Sequence, residues 1–500
     1  MNPDPSRAPE AARAPGTRLL RAGVIAFALV AVVGWLVFNA VNGGLNDVDL
    51  TVYRDGGLIV RHVGPYYDPR DWAPLYGWGG YSALALKFTY TPFAAIAFAV
   101  VSFLPWGVLQ GASVVGNMAA LVAALWFTFG GLGYRDRRTR LGAALLAAAV
   151  TFWLQPVIRT IYLGQVNLVL MAMIMGDLCQ PGTRADGRSR WWKGALTGVA
   201  AGIKLVPLVF VPYLLITRRF REAAATVAGF VVTVGVGFAV LPHDSSQWWL
   251  HGMFLADGNR TGFMGWAGNQ SLRAIITRFA GSVAAGQDPW IVAAVIALAL
   301  GMTAAYLLDR GGYPVPALLV TALTGLLVSP VSWDHHWVWI ALAIAVTGHY
   351  ALAATRPELA RMSADSPGPA GPLTARPAAP RSHARRTARW LWLLGGFMIA
   401  AFGAWPDALW ENARTLGNLS LGLLWAQPNT NPVLFATRGD QPWYVEYHWH
   451  GFQLLWGNTY VLAGVVLLAV ALVTGFRLRQ RRAADEVAAR EPLPAILPAS

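Results

Sequence analysis

Apolar stretches recur along the chain from Arg18 to Arg477, separated by short polar segments. Many are close to the roughly 20 residues that a helix needs to cross a bilayer core. Backbone groups in lipid must be paired within their own segment, so the pattern predicts spanning helices. The strict alternation of a β-barrel strand is missing. The expected fold class is an all-α polytopic membrane protein of about 12 transmembrane helices (about 20 residues each is the norm). Leu19–Val41 is too long for a cleaved signal core and reads as a retained first span.

The polar segments fall into two kinds. Basic ones are Arg13–Arg21, Arg135–Arg140, Arg184–Lys193, Arg218–Arg221, Arg356–Arg389 and Arg477–Arg482. By the positive-inside rule they face the cytoplasm. The others are Asn42–Tyr90, the turn at Gly164, His243–Pro289, the turn at Ser332 and Asp407–Trp456. They are rich in Trp, Tyr, Gly, Asn and Asp, and they fall outside. Two segments fit poorly as single crossings. The first is Pro92–Arg135, within which Pro92–Leu104 is expected as a partial or interfacial helix, and the second is Gly194–Thr217, expected as a broken hairpin turning near Lys204. The implied organisation is a cytoplasmic tail over 1–18 and a transmembrane core over 19–354. A cytoplasmic linker over 355–389 follows, then C-terminal helices with an extracytoplasmic loop over 390–477, then a tail over 478–500.

Composition sharpens this picture. Apolar residues make up 55% of the chain and charged residues 13%, about half the share of a soluble domain. A net charge of +14 suggests nucleic acid, but the basic residues sit in loops between spans rather than in a binding stripe, so no nucleic-acid partner is expected. The single cysteine, Cys179, excludes an internal disulfide and a cysteine zinc site.

Candidate chemistry gathers at the outer ends of spans. Asp49, with Tyr53 one turn on, follows the first span. A carboxylate beside a low-dielectric wall can serve as a general base, although a loop acid capping a short helix is the plain alternative. Lysine occurs only at positions 87, 193 and 204, and Lys204 alone is embedded in apolar sequence. Buried charge at membrane depth points to function; snorkelling to the interface is the competing reading. Gln165 and Asn167 put two amides at a short turn, with Arg159 just before it. Asn269 and Gln270 lie in a large outer loop. Asp334, His335 and His336 sit between tryptophans. Adjacent histidines on a helix point about 100° apart and do not readily share a metal, so no metal site is expected and a role toward phosphate fits better.

These segments resemble glycosyltransferase family 87, the polyprenyl-phosphate-mannose-dependent mannosyltransferases of the GT-C class, over roughly Val48 to Trp339. The carriers are Val48-Asp49-Leu50-x-Val52-Tyr53, Phe88-Thr89-Tyr90-Thr91-Pro92-Phe93, Gly164-Gln165-Val166-Asn167, Gly202-Ile203-Lys204-Leu205-Val206-Pro207, Asn269-Gln270-Ser271 and Ser329-Pro330-Val331-Ser332-Trp333-Asp334-His335-His336-Trp337. The resemblance implies that Asp49 is the catalytic base. The donor is polyprenyl-phosphate-mannose, used outside the cytoplasm without nucleotide sugar, cofactor or metal. It implies a glycolipid acceptor, a phosphatidylinositol mannoside or related lipoglycan, extended in α-1,2 linkage with inversion. Lys204, His335, His336 and Arg159 are expected at the donor phosphate. Tyr53, Gln165, Asn167, Asn269, Gln270 and Asp334 are expected at sugar or acceptor. The usual Tyr-Pro-Pro-Phe is Tyr90-Thr91-Pro92-Phe93 here. Acceptor choice is expected in Asp407–Trp456, which no motif covers. The alternatives are a polyprenyl-phosphate-arabinofuranose donor, a transporter of lipid-linked sugars, and a membrane scaffold without activity.

Overall fold

The computed structural model describes residues 15–42, 44–68, 70–76, 87–180, 190–252, 263–356, 381–405, 422–426, 437–438, 441–442 and 444–488. Nearly all regular structure among them is helical, with one two-residue hairpin pairing Thr437–Arg438 with Gln441–Pro442. The helices are α1 (Pro15–Asn42), α2 (Val48–Val60), α3 (Pro92–Val101), α4 (Trp106–Gly131), α5 (Arg137–Thr151), α6 (Gln155–Tyr162), α7 (Asn167–Leu178), α8 (Ala195–Ile203), α9 (Phe210–Ile216), α10 (Phe220–Val240) and α11 (Pro242–Trp249). After these come α12 (Leu272–Ala280), α13 (Val283–Arg310), α14 (Pro314–Val328), α15 (Trp339–Thr355), α16 (Arg381–Phe402), α17 (Phe452–Trp456) and α18 (Thr459–Ala488).

Among the described residues six helices are long and apolar enough to cross a membrane, or seven if the bent pair α6 and α7 forms one span. The expected twelve crossings are not reached by helices of spanning length. Several apolar stretches become short or broken helices instead. Pro92–Leu104 yields the ten-residue α3, capped at its start by the Thr91 side chain. α6 and α7 meet at 116° across the turn 163–166.

Gly194–Thr217 reverses at Lys204. α8 and α10 run parallel in close contact: a Cβ on Gly194 would fall beside Glu222, on Gly198 beside Thr226, and on Gly202 beside Thr233. Two parallel neighbours require the chain to return between them, and it does so through Lys204 and α9. The far end is tied by ion pairs. Lys193 Nζ lies 3.1 Å from Glu222 Oε1, and Arg219 lies 2.5 Å from Asp309. Lys204 therefore stands at a hairpin tip, away from the basic end.

α13 packs on α14 and α18, α4 on α5 and α7, and α15 on α16. One apolar cluster runs from Leu121 and Leu168 through Leu318 and Ile340 to Met398, Tyr460 and Leu468. The C-terminal helices are thus part of the same core. α16 begins at Arg381, inside the stretch expected as linker, while 357–380 lies outside the described residues.

Candidate active site

The first turn of a helix leaves four N–H groups without partners. α2 meets that need without a side chain. The N–H groups of Asn46 and Asp47 donate to the Tyr162 carbonyl at 3.2 and 3.0 Å, and those of Asp49 and Leu50 to the Leu163 carbonyl at 3.1 and 3.2 Å. The carbonyls closing α6 therefore cap α2. This contact needs a residue without a Cβ at Gly164, whose φ is +69°; a Cβ there would lie 2.5 Å from Leu50 Cβ. Asp49 is freed from any capping duty. Among the described residues its half-buried carboxylate accepts no hydrogen bond, yet its charge is felt at Lys204, Tyr53 and Tyr90.

Asp47 has a different environment. It is buried, and its Oδ2 accepts a 2.6 Å hydrogen bond from Gln110 Nε2 on α4. Burial raises its carboxyl above the ordinary value, partly offset by the Gln110 bond. Of the two acids, only Asp49 faces the cluster that follows.

Tyr53 lies one turn beyond Asp49, on the same face of α2. Its ring stacks on Phe98 at 4.3 Å. Its hydroxyl donates to Gln165 Oε1 at 2.6 Å and lies 2.9 Å from the Tyr90 hydroxyl. The Lys204 ammonium donates to Gln165 Oε1 at 3.0 Å and to Asn167 Oδ1 at 2.7 Å, and sits 5.2 Å from the Tyr90 ring centre. An ammonium has three donors, so one N–H is left for a guest. Thr91, where the family pattern has proline, also serves this cluster. Its hydroxyl caps α3 through the Ala94 N–H and donates to the Gly202 carbonyl, two residues before Lys204. A proline there could do neither.

The 329–336 turn forms the opposite wall. Asn167 Nδ2 and the Thr160 hydroxyl donate to the His335 carbonyl at 2.9 and 3.0 Å. Asp334, 1% exposed, lies 2.9 Å from Arg159 Nε, accepts from Gln155 Nε2 at 2.5 Å, and lies 3.2 Å from His335 Nδ1. Held this way, His335 presents Nε2, which is buried and has no hydrogen-bond partner among the described residues. The His336 ring stands edge-on to it at 4.8 Å and senses the Lys204 charge.

The structure thus brings Asp49, Tyr53, Gln165, Asn167, Lys204, His335 and His336 into one neighbourhood. Four expected ligands stand behind it. Arg159 and Asp334 pair with each other, and Arg159 also lies over the Trp425 ring. Asn269 and Gln270 are fully buried and committed to backbone. Asn269 Oδ1 accepts from the Ser332 N–H at 3.0 Å. Gln270 Nε2 donates to the Ala267 and Gly457 carbonyls at 2.8 Å, and its Oε1 accepts from the Tyr460 N–H at 3.1 Å. The Asn269 side chain stitches the 264–271 loop to the 329–336 turn, joined by the backbone bonds Gln270 N–H to Ser332 carbonyl at 2.7 Å and Asp334 N–H to Gly268 carbonyl at 2.8 Å, while the Gln270 side chain ties the same loop to the start of α18.

Sequence reasoning passed over Gln155 and Tyr460, whose hydroxyl donates to Gln155 Oε1 at 2.6 Å. Gln155 carried a readable signal, a lone amide in an apolar run before Pro156. Tyr460 carried none. Much of Asp407–Trp456, where acceptor choice was expected, lies outside the described residues.

The site combines one unengaged carboxylate with a cation and two imidazoles across from it. Such a set suits removal of a proton from a hydroxyl while negative charge builds on a departing phosphate.

Known proteins place this arrangement. The sequence profile of Glycosyltransferase family 87 matches residues 88–330. A polyprenol-phosphate-mannose-dependent alpha-(1-2)-phosphatidylinositol pentamannoside mannosyltransferase of Mycobacterium tuberculosis is 36% identical over 344 residues, covering 67% of this chain and 74% of the relative. Its Mycolicibacterium smegmatis counterpart is 36% identical over 324 residues, 63% of this chain and 73% of the relative. A polyprenol-phosphate-mannose-dependent alpha-(1-2)-phosphatidylinositol mannoside mannosyltransferase of Mycobacterium tuberculosis is 31% identical over 361 residues, 68% and 79% of the two chains. No solved structure matches the chain. With this likeness, its apolar helices and its site, the chain belongs to glycosyltransferase family 87 and is a multi-pass membrane glycosyltransferase.

Proposed function

We propose that this enzyme transfers mannose from polyprenyl-phosphate-mannose to a phosphatidylinositol mannoside or related lipoglycan, forming an α-1,2 linkage with inversion. The observation that carries the mechanism is Asp49, uncapped and without a hydrogen bond among the described residues, across from Lys204. Asp49 takes the proton of the acceptor hydroxyl. The hydroxyl oxygen attacks the anomeric carbon opposite the phosphate, the bond from that carbon to the phosphate oxygen breaks, and polyprenyl phosphate leaves. Lys204, with His335 Nε2 and His336, meets the phosphate charge. Tyr53, Gln165 and Asn167 orient sugar or acceptor and hold Lys204 in place. Arg159, Asp334, Asn269 and Gln270 act from behind, fixing the 329–336 turn.

The site faces the extracytoplasmic side of the cell membrane. Support comes from the basic residues of the opposite end, where Lys193, Arg219 and Arg310 gather beyond the hairpin. On this reading 1–18 and 478–500 are cytoplasmic tails and 355–389 joins the core to its C-terminal helices.

The test is transfer in membranes carrying the protein, supplied with polyprenyl-phosphate-mannose and phosphatidylinositol mannosides, with polyprenyl-phosphate-arabinofuranose as the competing donor. The expected product gains one α-1,2-mannose and no arabinose. Preference for arabinose, or donor movement across the bilayer without transfer, would overturn the reading.

A further inference from the structure

Outside the site described above, residues 70–76 and α11 build an aromatic surface. Trp72 is 49% exposed. The exposed His243 ring stacks on it at 5.2 Å and 22°, and the exposed His251 ring stands edge-on at 6.0 Å. The turn beneath is firmly set. The Ala73 N–H donates to Asp71 Oδ1 at 3.1 Å, and the Leu75 N–H to the buried Asp244 Oδ1 at 2.9 Å. From there the rings continue inward. Tyr76 stacks on Trp248 at 5.2 Å, and its hydroxyl donates to the Tyr90 carbonyl at 2.8 Å. Tyr90 in turn meets Tyr53, Gln165 and Lys204. Tyr76 and Trp248 thus link the catalytic cluster to α11, whose His243 stacks on the half-exposed indole.

An indole at a membrane boundary often serves only as an interfacial anchor. Trp72 carries more hydrogen-bonding groups around it than an anchor needs. The His243 imidazole stacks on the indole, the His251 imidazole stands edge-on to it, and Asp68 and Asp71 lie in its own turn. The indole surface that His243 leaves uncovered, with these groups beside it, suits the C–H face of a pyranose, whose hydroxyls point outward to them.

We propose that Trp72, with His243 and His251, is a glycan platform that binds a mannosyl residue of the acceptor remote from the hydroxyl that reacts. This rests on the transferase reading above. The remote sugar then holds the acceptor equally well in the bound state and the transition state, and acceptors with longer glycans are favoured over shorter ones through a lower KM.

The experiment compares wild type, Trp72→Ala and Trp72→Phe on two acceptors, a phosphatidylinositol mannoside with several mannoses and an alkyl α-mannoside with one. For Trp72→Ala the platform predicts an acceptor KM raised about tenfold for the long glycan, with kcat and donor KM little changed. The long-over-short preference in kcat/KM falls by the same factor, and Trp72→Phe restores most of it. Equal losses on both acceptors, a rise in donor KM, or an unchanged preference would overturn the platform and leave the transferase reading standing. A wild-type protein inactive on every acceptor would instead overturn that underlying reading.

Discussion

On the proposed reading, the buried pair Asp334 and Arg159 supports the site from behind. Both are buried, at 1% and 3% exposure, so each charge depends on the other. Removing one partner of such a pair leaves a bare charge and costs about 3–5 kcal/mol. Arg159→Ala is therefore expected to lower thermal stability sharply in detergent, and Arg159→Met combined with Asp334→Asn to be milder than Arg159→Ala alone. A double variant that is the sum of its singles would show that the pair is not coupled. Asp244 offers a second residue-scale test. Burial raises its carboxyl from 3.8 to about 7, with the Leu75 N–H working the other way. A raised acid binds its proton more tightly when folded, so its contribution is full below about pH 4 and is lost as pH rises through about 7. Asp244→Asn is expected to flatten the fall in melting temperature across that window, by roughly 2 °C or more at its upper end. An unchanged slope would place the titration elsewhere.

The helices explain which parts of the site were legible in the sequence. Asp49 and Tyr53 are one turn apart on α2, and Gln165 and Asn167 flank one turn, so their local grouping follows from periodicity. Lys204 was legible because lysine is rare here and an isolated charge in apolar sequence is costly. What joins these groups is tertiary and was not legible. Tyr460 reaches Gln155 from 305 positions away, and the α6 carbonyls cap α2 from across the fold. Hydropathy likewise reports apolar stretches but not whether they run straight, and among the described residues α3, α6–α7 and α8–α9 are short or broken. The parallel packing of α8 on α10 gives the element-scale prediction. A Cβ at Gly198 would lie 2.1 Å from the Thr226 carbonyl oxygen, and that backbone cannot yield. Gly198→Ala should cost about 1–3 kcal/mol and weaken transfer by displacing the Lys204 tip. Gly116→Ala on α4, where a Cβ meets nothing within 4 Å, should be neutral or stabilising by up to about 1 kcal/mol. Equal effects on melting temperature would contradict the packing.

At the scale of the whole molecule, one end is basic and ion-paired and the other carries the unengaged carboxylate, the amides and the imidazoles. That asymmetry makes a transporter less apt than an enzyme, since a transport path needs ionisable groups at mid-depth. The proposed orientation, with the basic end in the cytoplasm, can be checked. In a Cys179→Ser background, Asp68→Cys should react with a membrane-impermeant maleimide added to intact cells, and Ser382→Cys only after lysis. The opposite labelling would turn the site toward the cytoplasm.

The central claim is that Asp49, and not its neighbour Asp47, removes the acceptor proton. The most direct measurement is transfer of labelled mannose from polyprenyl-phosphate-mannose to a phosphatidylinositol mannoside by Asp49→Asn and Asp47→Asn in membranes containing equal amounts of each protein. A base of this kind contributes about 10²–10⁴-fold, so Asp49→Asn should lose at least about 100-fold while Asp47→Asn, whose amide still bonds Gln110, keeps most of the rate. Full activity in Asp49→Asn, or a loss that follows Asp47 instead, would contradict it.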